Sequence, residues 1–346
     1  MRKLLFGLIW FLCLSVPAAA IEITAPEVPK AGLDRMPQNT DTFGESLLEL
    51  VENSITLFHP ELESAAQVSA GVLFVAMMFS LFPVFSEKTA GVMSLAGTVA
   101  IAGMVFRNTN SMISFAAESV REICEYGKLL CPVMTTALAA QGGITSSAAL
   151  YAGTTAFISL LNNLISRIIL PMVYLFLLFS VAYCATGEEI LKKAGDAEKS
   201  FLSWLLKAIL ITFTTYMSVT GVVSGTADAA ALKAARVSIS SVVPVVGSII
   251  SDASESVLVS IGIMKNAAGI YGIMAVLSIF MGPFLKVGVQ YLLLKLTAVI
   301  CSIFADKKIT TLINDFSTAM GLLLAMVASG CILILISTVC FMKGIG

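Results

Sequence analysis

The chain has 346 residues, of which 58% are hydrophobic and only 12% are charged. Ordinary soluble domains carry roughly 25% charged residues. A water-soluble fold of this length has no interior large enough to hide so much apolar surface, so the composition excludes a soluble globular protein and indicates an integral membrane protein. The formal net charge of −1 provides no basic surface for nucleic acid, and no nucleic-acid partner is expected.

The first 20 residues have the three parts of a secretory signal peptide. Arg2 and Lys3 give a positive start, residues 4–16 are apolar, and Pro17 is followed by small residues that suit cleavage. The apolar run is shorter than the roughly 20 residues that cross a bilayer. We therefore expect a cleaved signal peptide over residues 1–20, with an uncleaved first anchor as the alternative.

Residues 21–64 are predicted to be an exported arm. Residues 21–40 are rich in proline and polar side chains, which predicts an extended segment. From Thr42, apolar residues at helical spacing predict an amphipathic helix that ends near His59 and Pro60. Its apolar residues are Phe43, Leu47, Leu50, Val51, Ile55 and Phe58. That face could rest on lipid or on a partner protein, and the sequence leaves both open.

Eight apolar runs follow, each close to bilayer length. They are residues 65–85, 89–106, 144–163, 168–186, 203–224, 266–285, 287–304 and 318–342. Helices satisfy their own backbone in lipid, so the predicted fold class is all-α: a polytopic membrane protein with about 7–8 transmembrane or hairpin helices. Residues 129–141, with Pro132, are a further short apolar stretch that is predicted to be re-entrant or interfacial. Eight crossings would divide Lys and Arg almost evenly between the two sides, so the positive-inside rule gives no orientation.

Small residues and two lysines stand out within these runs. Small residues at every fourth position predict close packing between helices. One such stripe is Ala90, Ser94, Thr98 and Ala102, and a second is Gly321, Ala325 and Ser329. A charge inside the membrane is costly unless it is paired or hydrated. Lys207 lies near a span end and can reach the interface. For Lys295, a functional role and structural pairing both remain open.

The sequence predicts no catalytic, cofactor or metal site. None of the seven cysteines forms a CxxC pair, and they are expected to pack as small hydrophobes, with a disulfide between Cys124 and Cys131 as the alternative. His59 is the only histidine and has no neighbouring ligand. The chain contains neither GxxxxGK[ST] nor HExxH, so it is expected to be neither an ATPase nor an intramembrane enzyme.

An amphipathic hairpin is predicted over residues 225–265. It separates the membrane helices of 65–224 from those of 266–346. Thr226 is the expected N-cap of its first helix, with Asp228 in the first turn. Pro244 and Gly247 interrupt the apolar pattern. Asp252 is the expected start of the second helix, which has an acidic residue three positions later as in a capping box. Such a hairpin lies along the membrane or dips into it.

This region also resembles the stage III sporulation protein AE family. The resemblance is carried by Gly225, Thr226, Asp228, Pro244, Gly247, Asp252, Lys265, Asn266 and Gly269. The order of signal peptide, arm and serial membrane segments resembles that family over essentially the whole chain.

The resemblance implies a subunit of a secretion-like channel between mother cell and forespore, needed for endospore formation after engulfment. It implies a multi-pass location in the mother-cell membrane around the forespore. The implied partners are co-expressed stage III sporulation membrane proteins, including ring-forming subunits and a secretion-type ATPase. A stand-alone secondary transporter is the alternative. Transporters commonly carry internal repeats, and none is evident for the 225–272 pattern.

Replacing both Pro244 and Gly247 with alanine should block function without preventing membrane insertion, because these residues set the predicted break in the hairpin. Spore counts and membrane fractionation of the double variant test this. Normal sporulation would contradict it.

Overall fold

The computed structural model describes residues 25–37, 43–56, 58–81, 90–242 and 247–343. All regular structure in these ranges is helical. In chain order the helices are α1 (Lys30–Leu33), α2 (Phe43–Thr56), α3 (His59–Leu81), α4 (Ala90–Ala140), α5 (Ile144–Leu164), a π-helical turn (Ile165–Ile169), α6 (Leu170–Thr186), α7 (Glu189–Val242), α8 (Gly247–Cys301) and α9 (Lys307–Lys343). The predicted signal peptide lies outside the described residues.

Five helical segments are long and apolar enough to cross a membrane. They are His59–Leu81, Ile144–Thr186, Glu189–Gly221, Val259–Cys301 and Lys307–Lys343. The predicted all-α polytopic fold class is therefore confirmed, and the chain is a multi-pass membrane protein. Helix α9 lies at the centre of the bundle, where it contacts every long helix from α4 to α8. Its side chains Phe316, Met326 and Ile334 are almost completely buried.

Several predicted helix breaks are absent. The expected spans 144–163 and 168–186 form one continuous helical segment, Ile144–Thr186. The expected span 266–285 and residues 287–301 of the next one both lie within α8. The π-helical turn directly precedes Pro171 in the first turn of α6, and it absorbs the proline without ending the helix. Pro283 lies inside α8. Prolines are tolerated in membrane helices because neighbouring groups satisfy the freed backbone atoms.

Helix α4 also unites segments that the sequence separates. The expected span 89–106 and the expected re-entrant stretch 129–141 are the two ends of one 51-residue helix. Pro132 lies within that helix. The prediction of a separate re-entrant segment is therefore wrong. Because a continuous helix crosses a membrane at most once, apolar runs that share one helix do not count as separate crossings.

The predicted arm differs in part from its expectation. Residues 25–37 pack against α8 instead of extending away, with Val28 buried and Gly32 in contact with Ile279. Helix α2 forms as predicted, but it ends at Thr56, and His59 begins the next helix. Its predicted apolar face is mostly unburied. Leu50 is fully buried, whereas the other members at 43, 47, 51 and 55 are exposed.

The helices of the predicted central hairpin start elsewhere than expected. Thr226 is not an N-cap, because α7 continues from Glu189 to Val242. Asp252 does not begin a helix, because α8 begins at Gly247. Residues 243–246, which include Pro244, lie outside the described part of the chain. In an apolar environment, continuing a helix satisfies more backbone groups than a cap does, and this favours the longer helices.

Glycine allows three helices to meet at the centre of the bundle. A methyl group built on Gly127 of α4 would lie 2.6 Å from Ile334 of α9 and 3.1 Å from Ile158 of α5. Both isoleucines are buried. Any side chain at position 127 must therefore displace these isoleucine side chains.

Replacing Gly127 with valine should destabilise the folded protein by about 1–3 kcal/mol through overpacking. Gly103 of the same helix is the matched control, since a methyl group there meets nothing within 4 Å. Thermal unfolding in detergent should show a lower midpoint for Gly127→Val than for Gly103→Val. Equal midpoints would contradict this packing.

Candidate functional site

A carboxylate from α7 caps the start of α5. The backbone N–H of Thr145 donates to Oδ1 of Asp228 at 3.1 Å, and that of Ser146 donates to Oδ2 at 2.7 Å. The residue preceding α5 is Gly143, which has no side chain to cap the helix. Asp228 therefore satisfies two of the amides that a helix start leaves free, and its charge interacts favourably with the positive end of the helix dipole.

Asp228 is only 4% exposed, so its ionisation depends on these contacts. Burial alone would raise its pKa, but the hydrogen bonds from Ser146 and Thr145 outweigh it and lower the pKa below the ordinary value. The predicted role of Asp228 beside a helix N-terminus is thus realised at a different helix. Sequence reasoning assigned it to its own helix, whereas it lies inside α7 and caps α5.

Other residues of the resemblance lie at the same end of the bundle. A methyl group on Gly269 of α8 would come within 2.5 Å of Met342 and 3.3 Å of Met134, so α8, α9 and α4 meet there. Lys265, one turn earlier, is buried. Gly262 lies beside the side chain of Gln141, in the turn between α4 and α5. We call this region the capped junction: Asp228, residues 141–146 and residues 262–269.

For the remaining residues that carry the resemblance, the structure describes fewer contacts. Asn266 is exposed beside Lys265. The side chains of Gly225, Thr226, Gly247 and Asp252, and all of Pro244, lie outside the described part of the structure.

The stripes of small residues have mixed surroundings. Thr98 and Ala102 are buried. A methyl group built on Gly97, next to Thr98, would lie 2.9 Å from Phe79 of α3. The side chains of Ala90 and Ser94 lie outside the described set. In α9, Gly321 faces Tyr291 and Ser329 is buried, but Ala325 is exposed. The second stripe is therefore not packed along its whole length against other described residues.

The two predicted intramembrane lysines are exposed in the isolated chain. Lys295 donates to Oδ1 of Asn314 at 2.6 Å, so it has a structural partner. Lys207 lies on the exposed face of α7.

Sequence reasoning missed an ion pair between Lys286 of α8 and Glu61 of α3, with a nitrogen–oxygen distance of 3.2 Å. The Lys286 ammonium also lies 5.1 Å from the centre of the Phe115 ring. No local pattern could have found this contact, since its members are far apart in the chain.

The described cysteines are buried or half-buried and free, including Cys124 and Cys131, so the alternative of a disulfide between them is wrong. Within the described ranges, no cluster of His, Cys, Asp or Glu could hold a metal ion.

A groove of about 520 Å³ lies between α4 and α6 and is lined almost entirely by apolar side chains. The Tyr174 hydroxyl at its wall donates to Asn110 at 2.7 Å.

These features define a polytopic α-helical membrane protein. Its most specific polar contact is the one in which Asp228 of α7 caps the start of α5. The family profile of stage III sporulation protein AE matches residues 35–344, and the chain belongs to that family. The chain is 23% identical over 278 residues to stage III sporulation protein AE of Bacillus subtilis (strain 168), covering 79% of this chain and 69% of the relative. No solved structure matches the chain.

Replacing Asp228 with alanine should destabilise the protein by about 1–2 kcal/mol, because two amides at the start of α5 lose their acceptor. Asp196→Ala is the control, since Asp196 lies exposed on the same helix.

The contribution of Asp228 to stability should depend on pH, because folding lowers the pKa of its carboxyl group. The contribution is complete above the ordinary carboxyl pKa and is lost as the pH falls through the pKa of the folded state. The difference in melting temperature between wild type and Asp228→Asn should therefore shrink below pH ~4. A difference that does not change with pH would show that the charge has no role.

Proposed function

We propose that this chain is a membrane-embedded subunit of a secretion-like channel between the mother cell and the forespore, required for endospore formation after engulfment. The observation that carries the proposal is membership of the stage III sporulation protein AE family over residues 35–344. The fold suits such a role, because it is a bundle of long helices stabilised by side-chain packing and the Asp228 cap.

We further propose that the role is structural, not enzymatic, and that any ATP-driven work comes from a partner. The chain carries no phosphate-binding GxxxxGK[ST] loop. The proposed partners are the other co-expressed stage III sporulation membrane proteins, among them ring-forming subunits and a secretion-type ATPase. The proposed location is the mother-cell membrane around the forespore.

The transporter alternative is weaker in this fold. Transporters of that kind place substrate at helices that are broken near the middle of the membrane. Here Pro171 and Pro283, the described prolines expected to break helices, lie in helical segments that continue on both sides.

Deleting the gene should arrest sporulation after engulfment, and expressing the intact chain in the mother cell should restore spores. Fluorescence microscopy of forespore membranes, together with counts of heat-resistant spores, measures both. Expression of the intact chain confined to the forespore is the control and should not restore spores. An arrest before septation would contradict the proposal.

A further inference from the structure

The apolar second half of α9 runs beside the middle of α4, and the two helices point the same way. A methyl group built on Gly330 would lie 3.7 Å from Val120, and Gly127 faces Ile334 as described above. Gly269 touches both Met134 and Met342. About four turns of α4, residues 120–134, are therefore level with the apolar second half of α9.

Over residues 111–128, the exposed side chains of α4 are all polar. They are Ser111, Ser114, Glu118, Arg121, Glu125 and Lys128, which we call the polar stripe. Arg121 lies 3.2 Å from Glu118 and 3.4 Å from Glu125, and all three side chains are more than half exposed. The stripe is about 25 Å long, which is close to the thickness of a membrane interior.

The other helices expose apolar side chains at the same height. Ile158 of α5 lies against Gly127, and the ring of Phe157 meets that of Phe213 of α7 at 5.1 Å, which fixes the three helices relative to one another. Close to this level, Leu160 is 50% exposed, Ile211 66% and Ile332 41%. The bundle thus has apolar sides that suit lipid and one side that does not.

Residues 25–37 lie beside the polar stripe, on the flank of α4 next to α8. The Tyr126 hydroxyl donates to the backbone oxygen of Pro26 at 3.5 Å, and Gly32 packs on Ile279 of α8. Apart from the single turn of α1, this segment is not helical, and it exposes Glu27, Lys30 and Asp34. Non-helical backbone at membrane depth is tolerated only where protein buries it or where it borders water.

We propose that the polar stripe and residues 25–37 form a water-facing surface within the membrane, and that further copies of this chain close the space around it. The exposed charges of the stripe have both signs, Glu118 and Glu125 against Arg121 and Lys128, so the acids of one copy can face the bases of another. An unhydrated ion pair on a lipid-facing helix would be strongly disfavoured. The claim that this surface lines a conduit rests on the proposed function. The claim that it is hydrated is tested separately.

The test uses single cysteines in the full chain, expressed in a bacterial membrane without other sporulation proteins. Ser114→Cys and Glu125→Cys report on the stripe, and Ile211→Cys and Ile332→Cys are controls at nearly the same height. Intact cells are treated with a membrane-impermeant maleimide, and the parent chain sets the background. Labelling in denaturing detergent shows that every variant is present and reactive.

The stripe cysteines should label at least tenfold faster than the controls, and a copy with one affinity tag should co-purify a copy with another. Labelling of all four positions would place this level outside the membrane and overturn the proposal. Protection of the stripe cysteines, or the lack of co-purification, would overturn it too. Positive labelling together with normal sporulation of a deletion strain would instead refute only the proposed function.

Discussion

Within lipid, a backbone N–H or C=O finds no water to bond with, so nearly every such group must be satisfied by the chain itself. The long helices follow from this constraint. Helix continuity persists past Pro171, where a π-helical turn absorbs the disruption, and past Pro283 within α8. At the end of the bundle where α5 starts after Gly143, Asp228 is brought from another helix to bond the free amides of that start. The lipid constraint therefore accounts for the continuous helices, and the free amides of a helix start account for the position of Asp228.

Packing between these helices depends on places where a side chain is missing. The hydrophobic effect does not draw helices together in lipid, so close contact has to supply the association energy. Gly127, Gly269 and Gly272 let α4, α5, α8 and α9 approach one another at the level of their most apolar residues. Gly269 belongs to the residues that carry the family resemblance, and its contact with Met134 and Met342 gives it a physical role. The capped junction and the glycine contacts together join all four helices to α7.

Composition and apolar periodicity were sufficient to predict an all-α membrane protein, because both measure the solvent that surrounds the chain. Helix α2 was predicted as well, since its apolar spacing is local. The breaks at 163–168 and 285–287 were predicted wrongly, because proline and polar residues interrupt helices in water more readily than inside a bundle. The partner of Asp228 was not predictable, since Ser146 lies 82 residues away in sequence. The charged middle of α4 was not predicted to be helical, because hydropathy cannot distinguish a loop from a helix whose exposed face is polar.

The account depends most directly on lipid being the solvent for the outer faces of the bundle. Fractionation of cells that express the full chain, followed by washing of the membranes with high salt and then with alkaline carbonate, tests this without any assumption about sporulation. We expect the protein to remain in the membrane pellet through both washes and to be released by detergent alone. Recovery of the folded protein in either wash would show that its apolar faces are covered by protein instead of lipid, and would contradict the account.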